Sequence, residues 1–132
     1  MNLLKKNPTF FVDIDGTLVV YRKFSELATS KLEPITEVID YVNNHYNSGS
    51  VIIITTARPE NYRDYTINEL KSIGVKYHQL VMDCGRGTRV ILNDKDPENP
   101  ELDRAMGINL TRNMGFSTFD EIPKIDSYEL QS

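Results

Sequence analysis

Thr9-Phe10-Phe11-Val12-Asp13-Ile14-Asp15-Gly16-Thr17-Leu18 sets a short apolar, partly β-branched run against an abrupt acidic break. Residues 9–12 have the composition of a buried strand, and Asp13 ends the run where a strand would leave the core. Taken alone, Asp15-Gly16 is also a strong hairpin signal, with apolar residues on both sides of it. A hairpin would make the two aspartates structural. The two readings separate on whether later strands also end in polar residues of matching chemistry.

Glu33 and Pro34 open a helical pattern in which Ile35, Val38, Ile39, Val42 and Tyr46 share one face, and Gly49 stops it. Val51-Ile52-Ile53-Ile54 is a continuous β-branched run, the pattern of a central strand covered on both faces. After Pro59, the residues Tyr62, Tyr65, Leu70 and Ile73 fit a second helix that Gly74 ends. Residues 75–82 read as a third strand, Arg89-Val90-Ile91-Leu92 as a fourth, and residues 105–110 as a fifth at the sheet edge. Alternating strands and helices predict an α/β fold, Rossmann-like and doubly wound, with a mostly parallel sheet of about five strands. No linker or repeat interrupts it, so residues 1–132 read as one domain, with residues 120–132 a loosely ordered tail.

In such sheets ligands sit beyond the carboxyl ends of the strands. There the sequence places Asp13-Ile14-Asp15-Gly16-Thr17, then Thr55-Thr56-Ala57-Arg58, then Asn93-Asp94-Lys95-Asp96. Gathering carboxylates in one crevice is costly unless a cation offsets their repulsion. Oxygen-only donors without His or Cys favour magnesium. A hairpin does not explain why three parallel strands close on Asp13, Thr56 and Asp94.

Phe11-Val12-Asp13-Ile14-Asp15-Gly16-Thr17-Leu18 resembles the first signature of the haloacid dehalogenase superfamily, an apolar strand followed by Asp-x-Asp-Gly-Thr. Ile53-Ile54-Thr55-Thr56-Ala57-Arg58 resembles its second, and Val90-Ile91-Leu92-Asn93-Asp94 its fourth. The resemblance implies a phosphatase in which Asp13 attacks phosphorus and Asp15 protonates the leaving oxygen, then activates water. Gly16 and Thr17 would lie beside the phosphate, Thr56 would hydrogen-bond a phosphoryl oxygen through its hydroxyl and backbone N–H, and Ala57 and Arg58 would face phosphate or substrate. Magnesium would be held by the Asp13 carboxylate, the Asp15 main-chain carbonyl and Asp94, with Asn93 orienting a bound water. The family's fourth signature usually has an acidic residue or Gly where this chain has Asn93. Its third usually supplies a lysine before strand four, and no lysine lies between Lys76 and Lys95. Arg86 and Arg89 are the substitutes. Arg89, opening the expected strand four, would stand roughly 10–13 Å from its far end, which favours Arg86.

The net charge of −4 and pI near 5.1 exclude a broad basic surface for nucleic acid. Cys84 is the only cysteine, so neither an intrachain disulfide nor a cysteine zinc cluster is expected. The start lacks a signal-peptide pattern and no apolar run could span a bilayer, so the expectation is a cytoplasmic protein without a membrane partner. His45 and His78 read as surface or strand residues, Lys95 and Asp96 as turn residues. Residues 19–33 form a flap too short to fold a cap domain, so the resemblance is to a capless member. An open site needs a large substrate or a neighbouring subunit, as in a homo-oligomer, to cover it. The chain length looks most like phosphatases of sugar phosphates in polysaccharide synthesis. Alternatives are a phosphatase of nucleic-acid or nucleotide phosphates, a binding or scaffold protein that has lost turnover, and a phosphorelay receiver domain. The receiver reading conflicts with Asp-Gly-Thr after strand one.

Overall fold

The structure, a computed structural model, describes residues 3–125 and 128–130, with side chains described for residues 6–125. In chain order it has β1 (Leu3–Lys5), β2 (Thr9–Val12), α1 (Thr36–Asn47), β3 (Val51–Thr55), α2 (Arg63–Ile73), β4 (Gln79–Val81) and β5 (Tyr128–Leu130). Single 3-10 turns at Phe24–Glu26 and Glu60–Tyr62 punctuate the loops after β2 and β3. The central sheet is parallel, in the order β2-β3-β4, with Phe11 opposite Ile53 and Ile53 opposite Gln79. The class is α/β, as the sequence pattern predicts.

Ile52 and Ile54 point to the covered face of that sheet and are wholly buried. Val12, Val38, Ile39, Val42 and Leu70 complete the cluster around them, and Phe10 meets the rings of Tyr41 and His45 on α1. Ile35, Val38, Ile39 and Val42 are buried as the helical spacing requires. Gly74 takes the left-handed conformation, φ 74°, that ends α2, a backbone position glycine occupies without a Cβ clash. The apolar face read for α2 is rotated in the structure. Thr66 and Leu70 are its buried residues, while Tyr65 stays at the surface.

Two expectations about the sheet are corrected. Among the described residues it has three parallel strands rather than five, an arrangement consistent with a Rossmann-like fold. The face opposite Ile52 and Ile54 carries Phe11, Val51 and Val81, which are 55%, 41% and 42% exposed. Arg89-Val90-Ile91-Leu92 is not a strand, and Val90 and Leu92 are 75% and 92% exposed. The cause is local polar chemistry just downstream. Arg104 pairs with both Asp94 and Asp96, Lys95 pairs with Asp103, and the Asp96 side chain accepts the Glu98 N–H in a tight turn. These contacts hold the chain as a loop instead of presenting a run of ladder partners. Residues 105–110 likewise form no strand, although Ile108 and Leu110 pack against the core from irregular backbone. The tail is described only at residues 128–130, which pair antiparallel with Leu3–Lys5; residues 126, 127, 131 and 132 lie outside the described residues.

Candidate active site

β2 runs parallel to β3, so the turns after both strands emerge at the same rim of the sheet. Beyond β2 the chain turns sharply. The Ile14 carbonyl accepts the N–H groups of Thr17, Leu18 and Val19, while Gly16 donates to the Val19 carbonyl with φ 87°. Ile14 and Leu18 are buried under this turn, which leaves Asp13 facing solvent. The Thr17 hydroxyl donates to Asp13 Oδ2 at 3.2 Å. Although Asp13 is exposed as a residue, the protein packed around its carboxyl partly desolvates it and raises its pKa from the ordinary carboxylate value. The Ile14 N–H and the Thr17 hydroxyl oppose that shift, the Asp15 charge adds to it, and the Arg89 charge opposes it.

Asp15 has a partner that the sequence reading did not assign. Arg58 Nε donates to Asp15 Oδ2 at 3.0 Å and Nη2 to Oδ1 at 2.9 Å, a two-pronged clasp that engages both oxygens. The same guanidinium uses Nη1 on Thr66 Oγ1 at 3.1 Å and Glu69 Oε1 at 2.9 Å. Burial works against the cation, yet Asp15 and Glu69 outweigh it and hold Arg58 more firmly protonated than a free arginine. Arg58 is wholly buried. Its donors are held by Asp15, Thr66 and Glu69, away from solvent, where the sequence reading had it facing phosphate or substrate.

Thr56 is also drawn inward. It is 1% exposed, its N–H goes to the Val81 carbonyl at 3.0 Å, and its hydroxyl accepts the Arg58 N–H at 3.1 Å. These bonds build the turn from β3 toward α2, and they take up the N–H that was expected to reach a phosphoryl oxygen. Ala57 lies half-buried between them. Thr17, by contrast, puts its hydroxyl directly on Asp13.

The two candidate arginines separate clearly. Arg86 lies over the Phe24 ring, 4.4 Å from its centroid, so it belongs to the flap. The charge of Arg89 acts on Asp13, while its Nη1 donates to the Gly87 carbonyl at 2.8 Å. The distance argument against Arg89 assumed an extended strand four, and that strand is absent. Arg112 was missed altogether. Asn113 donates its N–H to the Gly16 carbonyl at 2.9 Å, and a Cβ on Gly16 would meet Arg112 Cγ at 3.1 Å. The Arg112 guanidinium then stacks on Tyr21 at 4.0 Å. No local pattern at Leu110-Thr111-Arg112-Asn113 signals this long-range packing.

Asp94 does not join Asp13 and Asp15. It is exposed, paired with Arg104 at 3.3 Å, and Asn93 turns its amide onto the Asp94 carbonyl. Among the described residues no three His, Cys, Asp or Glu side chains gather as a metal site. The all-oxygen donors therefore fit magnesium only in part, through the Asp13 carboxylate and the Asp15 carbonyl.

No family model and no curated protein matches this sequence. Among solved structures, the chain is similar to one in the Pnkp1/Rnl/Hen1 complex, with a TM-score of 0.53 and 20% identity, over 64% of this chain and 31% of that one. The likeness is one of fold. The chain spans about a third of the length of that structure. A crystallised target from Vibrio cholerae gives a TM-score of 0.49 at 22% identity, covering 86% of this chain and 89% of that one. Among the described residues no helix is long and apolar enough to cross a membrane.

Proposed function

We propose that the chain hydrolyses phosphomonoesters through attack by Asp13 on phosphorus. The observation that carries this reading is the inequality of two adjacent carboxylates at one strand end. Asp13 faces solvent with one hydroxyl donor, while Asp15 is clasped through both oxygens. In the first step an Asp13 oxygen bonds to phosphorus and the bond from phosphorus to the ester oxygen breaks. Asp15, ionised while both of its oxygens accept from Arg58, first takes a proton from solvent as one of those bonds opens and then gives it to that oxygen. Water then attacks phosphorus, Asp15 takes its proton, and phosphate leaves with Asp13 regenerated.

Thr17 orients the Asp13 carboxylate, and Arg89 offsets negative charge near it. Magnesium, held by the Asp13 carboxylate and the Asp15 carbonyl, would supply the remaining offset between an anionic nucleophile and an anionic substrate. The flap contributes one 3-10 turn and no cap, so the site would accept a sugar phosphate or a larger ester without rearrangement. The second reading, a binding protein that keeps the fold without turnover, draws on the outward position of Asp94 and the buried N–H of Thr56.

The deciding experiment is phosphate release across sugar phosphates, nucleotides and an aryl phosphate, with and without magnesium. Turnover should need the metal and fall by at least about 10³-fold in Asp13→Asn, which keeps the side-chain shape but removes the nucleophile. Activity surviving in that variant would remove Asp13 from its role. No release from any ester would leave the binding reading in its place.

A further inference from the structure

Behind the candidate site runs a line of alternating charge: Asp15, Arg58, Glu69 and Arg22. Their side chains are 8%, 0%, 11% and 5% exposed. Arg22 Nη2 donates to both oxygens of Glu69 at 2.9 Å. Arg22 Nη1 donates to the Leu27 carbonyl at 3.3 Å, and the Tyr65 hydroxyl of α2 donates to the same carbonyl. The line thus begins at the acid beside the nucleophile and ends in the flap. Its members come from three places in the chain: the turn after β2 and the flap, the turn after β3, and one face of α2.

Such a line is a poor way to gain stability. Desolvating four charges costs about as much as their pairing returns, and well-packed apolar side chains would serve at least as well. Arg22 Nε–H, moreover, is buried without an acceptor among the described residues. What the line does supply is orientation. The guanidinium plane of Arg58 fixes the rotation of the Asp15 carboxylate, and Nη1 cannot swing without breaking its bonds to Thr66 and Glu69. Glu69 in turn cannot shift without moving Arg22.

We propose that Glu69 and Arg22 are positioning residues for Asp15, acting through Arg58, and that they tie the flap to the orientation of that acid. The proposal rests on the phosphomonoester reading for its catalytic consequence, but its geometric content stands apart from it. Thr66 is the neutral member of the same device.

The test uses the full chain and the variants Glu69→Gln, Thr66→Val, Arg22→Met and Arg22→Lys. Thr66→Val removes one hydroxyl and no charge, so it decides the matter if Glu69→Gln fails to fold. In folded variants kcat should fall about 10- to 100-fold for Glu69→Gln and about 3- to 10-fold for Thr66→Val, as slight misplacement of a catalytic group does. KM should stay within about twofold, because neither residue touches substrate. Arg22→Lys should recover part of what Arg22→Met loses. A second measurement needs no turnover: the Arg58 Nε–H resonance should lose exchange protection, and the Asp15 carboxyl carbon should shift, in both Glu69→Gln and Thr66→Val. If wild type releases phosphate and the folded variants keep kcat within about twofold, or lose KM and kcat together, the positioning role is overturned. If wild type is inactive on every ester, the catalytic reading fails and the resonances decide the rest. Moved signals uphold the coupling, and unmoved ones end it.

Discussion

Replacing Arg58 with methionine should cost about 3–5 kcal/mol of folding stability, the size of loss seen when one partner of a buried ion pair is removed. Arg58 is 0% exposed and neutralises two carboxylates, Asp15 at 8% and Glu69 at 11%. Without it, those two anions share one remaining cation, Arg22. For a chain of this size the loss corresponds to a fall in Tm of roughly 10–20 °C. Urea unfolding followed by circular dichroism at neutral pH would measure it, with an unchanged m-value showing that the same surface unfolds. The pH dependence carries a sign. A cation whose folded pKa is raised contributes stability that is fully present below its unfolded value, and for Arg58 that covers the whole accessible range. The gap between wild type and variant should therefore persist as pH rises from neutral into the alkaline range. A loss below about 1 kcal/mol, typical of exposed pairs, would refute the view that this network is desolvated.

Two other substitutions test separate parts of the structure. Asp13→Asn should raise stability at neutral pH while abolishing turnover, because a carboxyl whose folded pKa is raised destabilises the fold once ionised. The gain should stay below about 1 kcal/mol, since Asp13 faces solvent, and should vanish as pH falls below the unfolded carboxyl value near 3.9. Thermal melts at pH 7 and pH 3 would show it, and equal melting at pH 7 would contradict the raised pKa of Asp13. Leu92→Ser should change stability by no more than about 0.5 kcal/mol, because Leu92 is 92% exposed. A loss near 2 kcal/mol or more in the same unfolding assay would mean that residues 89–92 are packed as a strand after all.

The parts legible in the sequence were those where local pattern and burial agree. The apolar run before Asp13, the spacing from Ile35 to Val42, and Gly74 at the end of α2 each name their own environment. Arg89-Val90-Ile91-Leu92 shows where that logic stops. A short apolar run suits a strand only if a neighbour offers it a ladder, and Arg104, ten residues beyond Asp94, binds the following acids into a loop instead. The same limit applied to α2. Reading its face from apolar residues put Tyr62 and Tyr65 inside, whereas the structure turns Thr66 and Glu69 toward a buried arginine. A polar side chain pointing inward is invisible to hydrophobic periodicity unless its partner is known, and Arg58 lies on a different turn.

That hidden partnership changes what the acidic pair can do. As side chains, Asp13 and Asp15 are the same carboxylate two residues apart. In the fold, the turn through Ile14 and Gly16 gives them different surroundings, one toward solvent and Thr17, the other onto Arg58. A nucleophile needs an approachable oxygen, and an acid that later acts as a base needs a fixed direction toward the leaving group. On the proposed function, clasping one carboxylate and leaving the other open gives one residue type two roles, because the surroundings rather than the side chains make them different. On the same reading, the direction of Asp15 then depends, through Arg58, on charges in α2 and the flap.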